Sequence, residues 1–290
     1  MDHVIDINYL RTPADPTVLK RPELGALLQS SAPGDRFILA DTALIETMKN
    51  RQWESTSRNS FKIVSQYPEK IWIATEISKL MNAELNSGRD TDAVLDLGLT
   101  EGFRDLLREI ASGNDGPAMN TVRNNILQAQ KTLATQQQNH PQNLGSLKAA
   151  FDGVRKDVKV KEYRRLTDIE QRQIRLRYAK TQAQISTRNV AKEEDKSQEV
   201  GDALATGRGA MIRLQIGYTL LGFKWAVNNG LDSFPDTKAT NEIMDLDHAV
   251  IATYFDGILT EEASVEDMRQ DILDALDVEP LQLPTPPAAP

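Results

Sequence analysis

The chain has 290 residues, enough for one large domain or two modest ones, and its formal net charge of −8 argues against general binding to nucleic acid. It contains no cysteine, which excludes disulfides, thiolate zinc sites, iron–sulfur clusters and cysteine nucleophiles and is typical of a reducing cytoplasm. No membrane span or secretory signal is expected, because Lys224 interrupts the longest apolar stretch and acidic residues flank the first one.

The first part of the chain predicts alternating strands and helices. A short apolar run at residues 3–5 predicts a strand that ends at an acidic residue, Asp6. Residues 22–29 predict a short helix, and residues 37–39 predict a second strand. Acidic residues at the ends of short buried strands can supply the oxygen ligands of a site for hard divalent cations.

A second helix is expected directly after the second strand. Asp41 and Thr42 are good N-caps for it, and Glu46 lies about one turn into it, close to the end of the strand. Residues 70–74 are ambiguous, because this apolar run fits either a third strand or the start of a helix that continues to Leu85.

The middle of the chain, residues 86–208, is polar and rich in Gln and Asn, with helical spacing, and predicts a helical insert. Proline at position 141 marks a break in it. Residues 188–199 are nearly all polar and fit either an exposed helical extension or a mobile loop. Apolar residues return at 210–228 and predict a core-facing helix.

Residues 155–180 form a basic run, with ten basic and four acidic residues. One interpretation is a solvated helix face whose cations pair with the acidic remainder of the chain. The other is a surface that follows nucleic-acid phosphates, on which Tyr163 and Tyr178 could stack against bases. The candidate nucleic-acid contacts are Arg164, Arg165, Arg172, Arg175 and Lys180.

The end of the chain again alternates helix and strand. Thr240 or Asn241 can cap a helix, and Gly257 suits the left-handed residue that would end it. Residues 258–259 predict a short buried strand, and a capping box at residues 264–267 predicts the start of a last helix. The alternation predicts a mainly parallel sheet, in which sites form beyond the carboxyl ends of the strands.

Three further features of the sequence are not predicted to be sites. His248 fits a helix-surface or packing histidine better than a ligand, and Asp245 is expected to face solvent. Residues 207–209, Gly-Arg-Gly, lack the Gly-Lys-Ser/Thr ending and the preceding strand of a phosphate loop.

The order of the acidic positions at the two ends of the chain resembles that of PIN-domain nucleases. In that family an Asp-x-Asn follows the first strand, a Glu lies on an early helix, an Asp lies on a late helix and a Thr-x-Asp follows the next strand. This chain has Glu262 where the family usually has Asp. The residues that carry the resemblance are Asp6-Ile7-Asn8, Glu46, Asp247 and Thr260-Glu261-Glu262.

The resemblance implies an α/β, PIN-like three-layer fold with a short, mainly parallel sheet. Residues 1–85 and 209–277 would form this discontinuous domain, residues 86–208 would be the helical insert, and residues 278–290 would be a Pro-rich disordered tail.

The resemblance also implies a metal-dependent endonuclease that acts on RNA, with DNA as the alternative. Asp6, Glu46, Asp247 and Glu262 would hold Mg²⁺ or Mn²⁺, and Asn8 or Thr260 would orient water or phosphate. Many relatives of this kind are growth-inhibiting toxins, so a toxin-like or defence nuclease with a neutralising protein partner is implied. A homodimer, a catalytically silent PIN-like interaction module and a helical scaffold protein remain open alternatives.

Overall fold

The structure is a computed structural model, and it divides into two compact units. The sheet unit comprises residues 1–80, 91–143 and 237–269, and the helical unit comprises residues 81–90, 144–236 and 270–290. Residues 1–10, 24–41, 47, 52–126, 140–228 and 236–281 are described, with only the backbone described at residues 7–8, 140–144, 146 and 236–240.

The sheet unit contains a four-stranded sheet whose strands are all parallel, as an α/β fold requires. The strand order is β3-β2-β1-β4. Ile5 lies opposite both Leu39 and Leu259, and Leu39 lies opposite Ile73, so the strands end in register at one edge, which we call the carboxyl edge. The strands are β1 (Asp2–Ile5), β2 (Arg36–Leu39), β3 (Ile71–Ile73) and β4 (Gly257–Leu259).

Helices cover the sheet, and their ends are set by local sequence. In the helix Leu97–Ser112 the Asp96 side chain accepts a hydrogen bond from the Leu99 amide, and Gly113 ends the helix with a φ of 72°. Residues 117–126 are also helical. The other helices with residues in this unit are Ile7–Leu10, Leu24–Ser30, Trp53–Phe61, Ile77–Ser87, Asp236–Ala252 and Ala263–Asp277, with short 3₁₀ turns at Val64–Gln66 and Pro68–Lys70.

The helix Leu97–Ser112 protects the edge strand β3, whose outer backbone groups would otherwise lack partners. The Thr100 hydroxyl accepts a 3.0 Å hydrogen bond from the Ile73 amide, and Arg104 donates a 3.1 Å hydrogen bond to the Ile71 carbonyl. On the same helix, Phe103 packs edge-on against Phe61 in the core, with ring centroids 5.1 Å apart. This part of the predicted insert therefore belongs to the sheet unit.

The helical unit is organised around the long helix Asp168–Glu193, which packs against Gln198–Thr206 and Ala210–Asn228. Thr167 and Glu170 form a capping box at its start. The rings of Tyr163 and Tyr178 pack edge-on against Phe223, with centroids 5.0 and 5.9 Å away. The helices in this unit also include His140–Asp157 and Val160–Tyr163.

Several predicted elements differ in detail from the structure. Residues 71–73 form a strand, and the following helix, Ile77–Ser87, is separate from it. The helix expected from Thr240 or Asn241 begins at Asp236. Gly257 does not end a helix in the left-handed conformation; it begins β4 and lies opposite His3, because sheet pairing requires an extended backbone there.

Other predictions concern the polar segments and the tail. The polar segment at residues 188–199 is helical through Glu193, and a new helix begins at Gln198. No helix in the described ranges has the length and apolar character needed to cross a membrane. The helix expected across residues 42–46 and the tail from residue 282 onward lie outside the described residues.

Candidate functional site

Each of the four strands is followed within three residues by a polar side chain. Asp6 directly follows β1, Asp41 lies two residues after β2, Glu76 lies three residues after β3, and Thr260 directly follows β4. The strands are parallel and in register, so these residues follow the strands at the same edge of the sheet. This is the position at which parallel sheets form ligand sites.

Asp6 links the central strand β1 to the edge strand β4. Its carboxylate is 3% exposed and accepts a 2.7 Å hydrogen bond from the Thr260 hydroxyl, while its amide donates to the Leu259 carbonyl at 2.9 Å. The Thr260 hydroxyl also accepts a 3.0 Å hydrogen bond from the Glu262 amide. The Thr260 hydroxyl therefore joins the Asp6 carboxylate to the turn that follows β4.

His248 lies buried beside Asp6, which agrees with the packing role expected from the sequence and not with a position on the helix surface. The imidazole is 2% exposed, and its Nδ1 atom is 3.5 Å from an Asp6 carboxylate oxygen. The helix Asp236–Ala252 delivers this side chain to the carboxyl edge from a position 242 residues further along the chain. An imidazole at that distance shields the carboxylate from water, and it carries a charge to pair with Asp6 only when protonated.

Asp247, the neighbour of His248, is half-buried and has an unusual carboxyl group. Its pKa is raised from 3.8 to about 7, mainly by burial; the neighbouring His248 lowers the pKa, and the negative charges of Asp41 and Glu76 raise it. The pKa of Asp247 is changed by burial and by neighbouring charges, and not by a hydrogen bond from a described residue. Burial and the two neighbouring carboxylates therefore favour a proton or a cation at Asp247.

Of the remaining predicted site residues, the structure describes Glu262 fully, only the backbone of Asn8, and not Glu46. Glu262 is half-buried, and its backbone is held by Thr260. Asn8 lies in the short helix Ile7–Leu10, but its side chain is outside the described residues, as is the whole of Glu46. The proximity of all four predicted carboxylates therefore stays a prediction.

The carboxylates fit a hard divalent cation in chemistry, since Mg²⁺ and Mn²⁺ prefer oxygen ligands. They do not fit it as a complete ligand set: within the described part of the chain, no three Asp, Glu or His side chains are arranged to hold a metal ion. A metal site at this edge would need a ligand from outside that part, and Glu46 is the predicted candidate.

Sequence reasoning missed three residues of this edge: Asp41, Glu76 and His248. The sequence predicts Asp41 only as a helix cap, and the position of Glu76 at this edge depends on residues 71–73 forming a strand. The available signal was spacing, because both carboxylates follow an apolar run by two or three residues. The contact between His248 and Asp6 left no signal in the local sequence.

The downstream half of the basic run pairs with the acidic end of the chain. Arg172 and Arg175 form ion pairs with Asp271, at 3.0 and 2.6 Å, and Arg172 also pairs with Asp274. The Lys180 ammonium donates to the carbonyls of residues 276 and 278, at 2.8 and 2.7 Å. For Arg172 and Arg175 the structure agrees with the ion-pair interpretation of the run, whereas Lys180 is held by backbone carbonyls.

The upstream residues of the run behave differently, and the two tyrosines do not support base stacking. Arg164 and Arg165 are exposed. Tyr163 and Tyr178 are buried against Phe223, because their rings complete the core of the helical unit, so the predicted stacking against bases is wrong.

The Gly-Arg-Gly segment at residues 207–209 binds carboxylates of the chain itself. The Arg208 amide donates a 2.6 Å hydrogen bond to Asp90, and the Ala210 amide donates a 2.7 Å hydrogen bond to Glu84, which is fully buried. The N-terminus of the helix Ala210–Asn228 is thus occupied by an internal anion. This occupancy agrees with rejecting the segment as a phosphate loop.

Comparisons with known proteins do not assign the chain to a family or a function. No protein-family model matches the chain, and neither a curated protein nor a solved structure matches it. The function is therefore inferred from the residues and their geometry.

Proposed function

We propose that the protein is a metal-dependent endonuclease with a PIN-like fold, which hydrolyses phosphodiester bonds in RNA at the carboxyl edge of its sheet. The observation that carries this proposal is the buried Asp6 carboxylate, held by the Thr260 hydroxyl between β1 and β4. A buried, oriented carboxylate at this edge is suited to hold a ligand rather than to solubilise the surface.

The arrangement of elements supports the resemblance to PIN-domain nucleases. Asp6 and Asn8 follow β1, Asp247 lies on the helix that precedes β4, and Thr260 and Glu262 follow β4. These are the element types that the family pattern requires for its acidic motifs.

The charge environment of Asp247 supports a cation at this edge. Its pKa of about 7 reflects burial near the charges of Asp41 and Glu76, an arrangement that a divalent cation would relieve. We assign Asp6, Glu46, Asp247 and Glu262 as the ligands, and Asp41 and Glu76 as residues that increase the local negative charge.

A bound divalent ion supplies a water of lowered pKa and neutralises charge that develops on the phosphate. The residues of the chain would orient the metal-binding carboxylates and shield them from water. Thr260 holds the Asp6 carboxylate in one orientation, and His248 covers Asp6 from the side of the helix Asp236–Ala252. The hydrogen bond from the Glu262 amide to Thr260 fixes the turn on which the fourth predicted carboxylate lies.

A second candidate function is a catalytically silent PIN-like interaction module. It is favoured by one observation, that no three-residue metal-ligand group occurs among the described residues. In this case the carboxyl edge would keep its acidic residues but would not support hydrolysis.

Cleavage of a labelled RNA with Mn²⁺ or with EDTA separates the two candidates. We expect the wild type to cleave only with the metal, Asp6→Asn to lose cleavage, and Asp267→Asn to keep it. Asp267 is an exposed residue of the helix Ala263–Asp277 and is a matched control for the change of one carboxylate to an amide. Equal cleavage by Asp6→Asn would contradict the nuclease proposal, and inactivity with every divalent ion would favour the interaction module.

A further inference from the structure

The upstream half of the basic run forms an exposed cationic surface in the helical unit. We call it the basic corner, and each of its six cationic side chains is exposed. They are Arg155, Lys156, Lys159, Lys161, Arg164 and Arg165.

The cations of the basic corner are mostly not neutralised by carboxylates. Lys159 pairs with Glu162 at 3.3 Å, whereas the other five cations form no ion pair with any residue in the described ranges. The Arg155 guanidinium lies 5.6 Å from the Phe151 ring centroid, and Arg164 donates to the carbonyl of Val227. By contrast, Arg172 and Arg175 further along the run are paired with acidic residues.

The basic corner is built on ordered backbone. Arg155 and Lys156 lie in the last turn of the helix His140–Asp157, where basic residues also favour the helix dipole. Lys161 lies in the short helix Val160–Tyr163, which is anchored by the buried ring of Tyr163. The Tyr163 hydroxyl donates a 3.2 Å hydrogen bond to the Gln171 carbonyl. Part of the backbone that carries these cations is therefore held in helices.

We propose that the basic corner binds the phosphate backbone of single-stranded RNA without selecting base sequence. The chain as a whole has a net charge of −8 and would repel a polyanion. A cluster of cations without paired carboxylates can still attract a polyanion at one place on its surface. The tyrosines of the run are buried, so the surface offers phosphate contacts without the stacking that could distinguish bases. The choice of RNA as the polyanion rests on the proposed function.

Salt dependence gives this surface a quantitative signature. Each phosphate contact on a single strand contributes about −0.7 to the slope of log K against log salt concentration. Five un-neutralised cations therefore predict a slope of about −3.5.

The test measures binding of a short fluorescent single-stranded RNA by anisotropy over a series of NaCl concentrations, in EDTA to prevent cleavage. Lys156→Ala with Lys161→Ala removes two cations of the basic corner, and Lys62→Ala with Lys192→Ala removes two exposed lysines elsewhere. We expect the first pair to weaken binding and to reduce the magnitude of the slope by about 1.4, and the second pair to leave both unchanged.

Three outcomes would overturn the proposal: equal weakening by the two double variants, no RNA binding at low salt, or binding to anionic phospholipid vesicles in place of RNA. All of these binding measurements are made in EDTA, where no metal-dependent cleavage can occur. This separates the surface from the metal chemistry, because cleavage can fail while RNA binding at the basic corner persists.

Discussion

The Thr260 hydroxyl donates a 2.7 Å hydrogen bond to the Asp6 carboxylate, although the two residues are 254 positions apart in the chain. The parallel pairing of β1 with β4 brings them together, since each directly follows one of these strands. The same hydroxyl accepts a hydrogen bond from the Glu262 amide. One side chain thus couples the proposed ligand Asp6 to the turn that carries Glu262.

Removing the Thr260 hydroxyl should destabilise the sheet unit. Thr260→Val keeps the shape but removes the donor to a buried carboxylate, and a hydrogen bond to a charged group is worth about 1.5–3 kcal/mol. Urea denaturation in EDTA measures the loss, and Thr260→Ser is the control that retains a hydroxyl. A valine variant as stable as the serine variant would show that this hydrogen bond contributes little.

The raised pKa of Asp247 predicts a pH-dependent stability. The folded protein holds this proton to about pH 7, whereas the ordinary pKa is 3.8, so the contribution of Asp247 to stability is full below about 3.8 and lost as the pH rises through about 7. Asp247→Asn should therefore gain stability relative to the wild type across this interval, by at most about 4 kcal/mol.

Urea denaturation at a pH below and a pH above this interval measures the effect of Asp247→Asn, with Asp267→Asn as the control. The gain in stability of Asp247→Asn over the wild type should be largest at the higher pH. A difference between Asp247→Asn and wild type that does not change with pH would contradict the raised pKa.

In the helical unit, Lys180 should hold the end of the chain against the helix Asp168–Glu193. Lys180→Met keeps the apolar stem but removes two hydrogen bonds to carbonyls of residues 276 and 278. We expect faster hydrogen exchange in a peptide that covers residues 270–281, while Lys192→Met, at an exposed position of the same helix, changes nothing. Unchanged exchange in the Lys180 variant would contradict this role.

The carboxylates at the start of the helix Ala210–Asn228 leave no room for a side chain at residue 209. A Cβ atom on Gly209 would lie 2.3 Å from a Glu84 carboxylate oxygen, and that carboxylate is fixed by the amides of Ala210 and Met211. Gly209→Ala should cost about 1–3 kcal/mol.

Gly102→Ala is the control for the change at Gly209, because a Cβ there meets nothing within 4 Å. Position 102 lies inside the helix Leu97–Ser112, so alanine should stabilise the protein by about 0.5–1 kcal/mol. Equal effects of the two changes in thermal unfolding would show that the Glu84 carboxylate moves aside at little cost.

The parallel sheet could be predicted from the sequence because its strands are short apolar runs between helical segments. The run at residues 70–74 was the exception, because it leads directly into the following helical segment and could have been its first turn; its identity as a strand depends on pairing with β2. Gly257 was misassigned for a related reason: the local sequence allowed a helix end, but pairing with β1 decided the conformation.

The candidate site was predictable only where a residue follows its own strand, as Asp6 and Thr260 do. The position of His248 against Asp6 and the pairing of Arg172 with Asp271 depend on contacts between distant segments. A single sequence contains no local pattern for such contacts, so the basic run could not be divided into its paired and exposed halves before the structure was known.

Calorimetric titration of Mn²⁺ into the metal-free protein tests the central claim, a divalent-cation site at the carboxyl edge, most directly. The account predicts a saturable binding event in the wild type and in Asp267→Asn that is lost in Asp6→Asn and in Asp247→Asn, with circular dichroism confirming that each variant is folded. Wild-type protein that binds no Mn²⁺, or an Asp6→Asn variant that binds it as the wild type does, would contradict the claim.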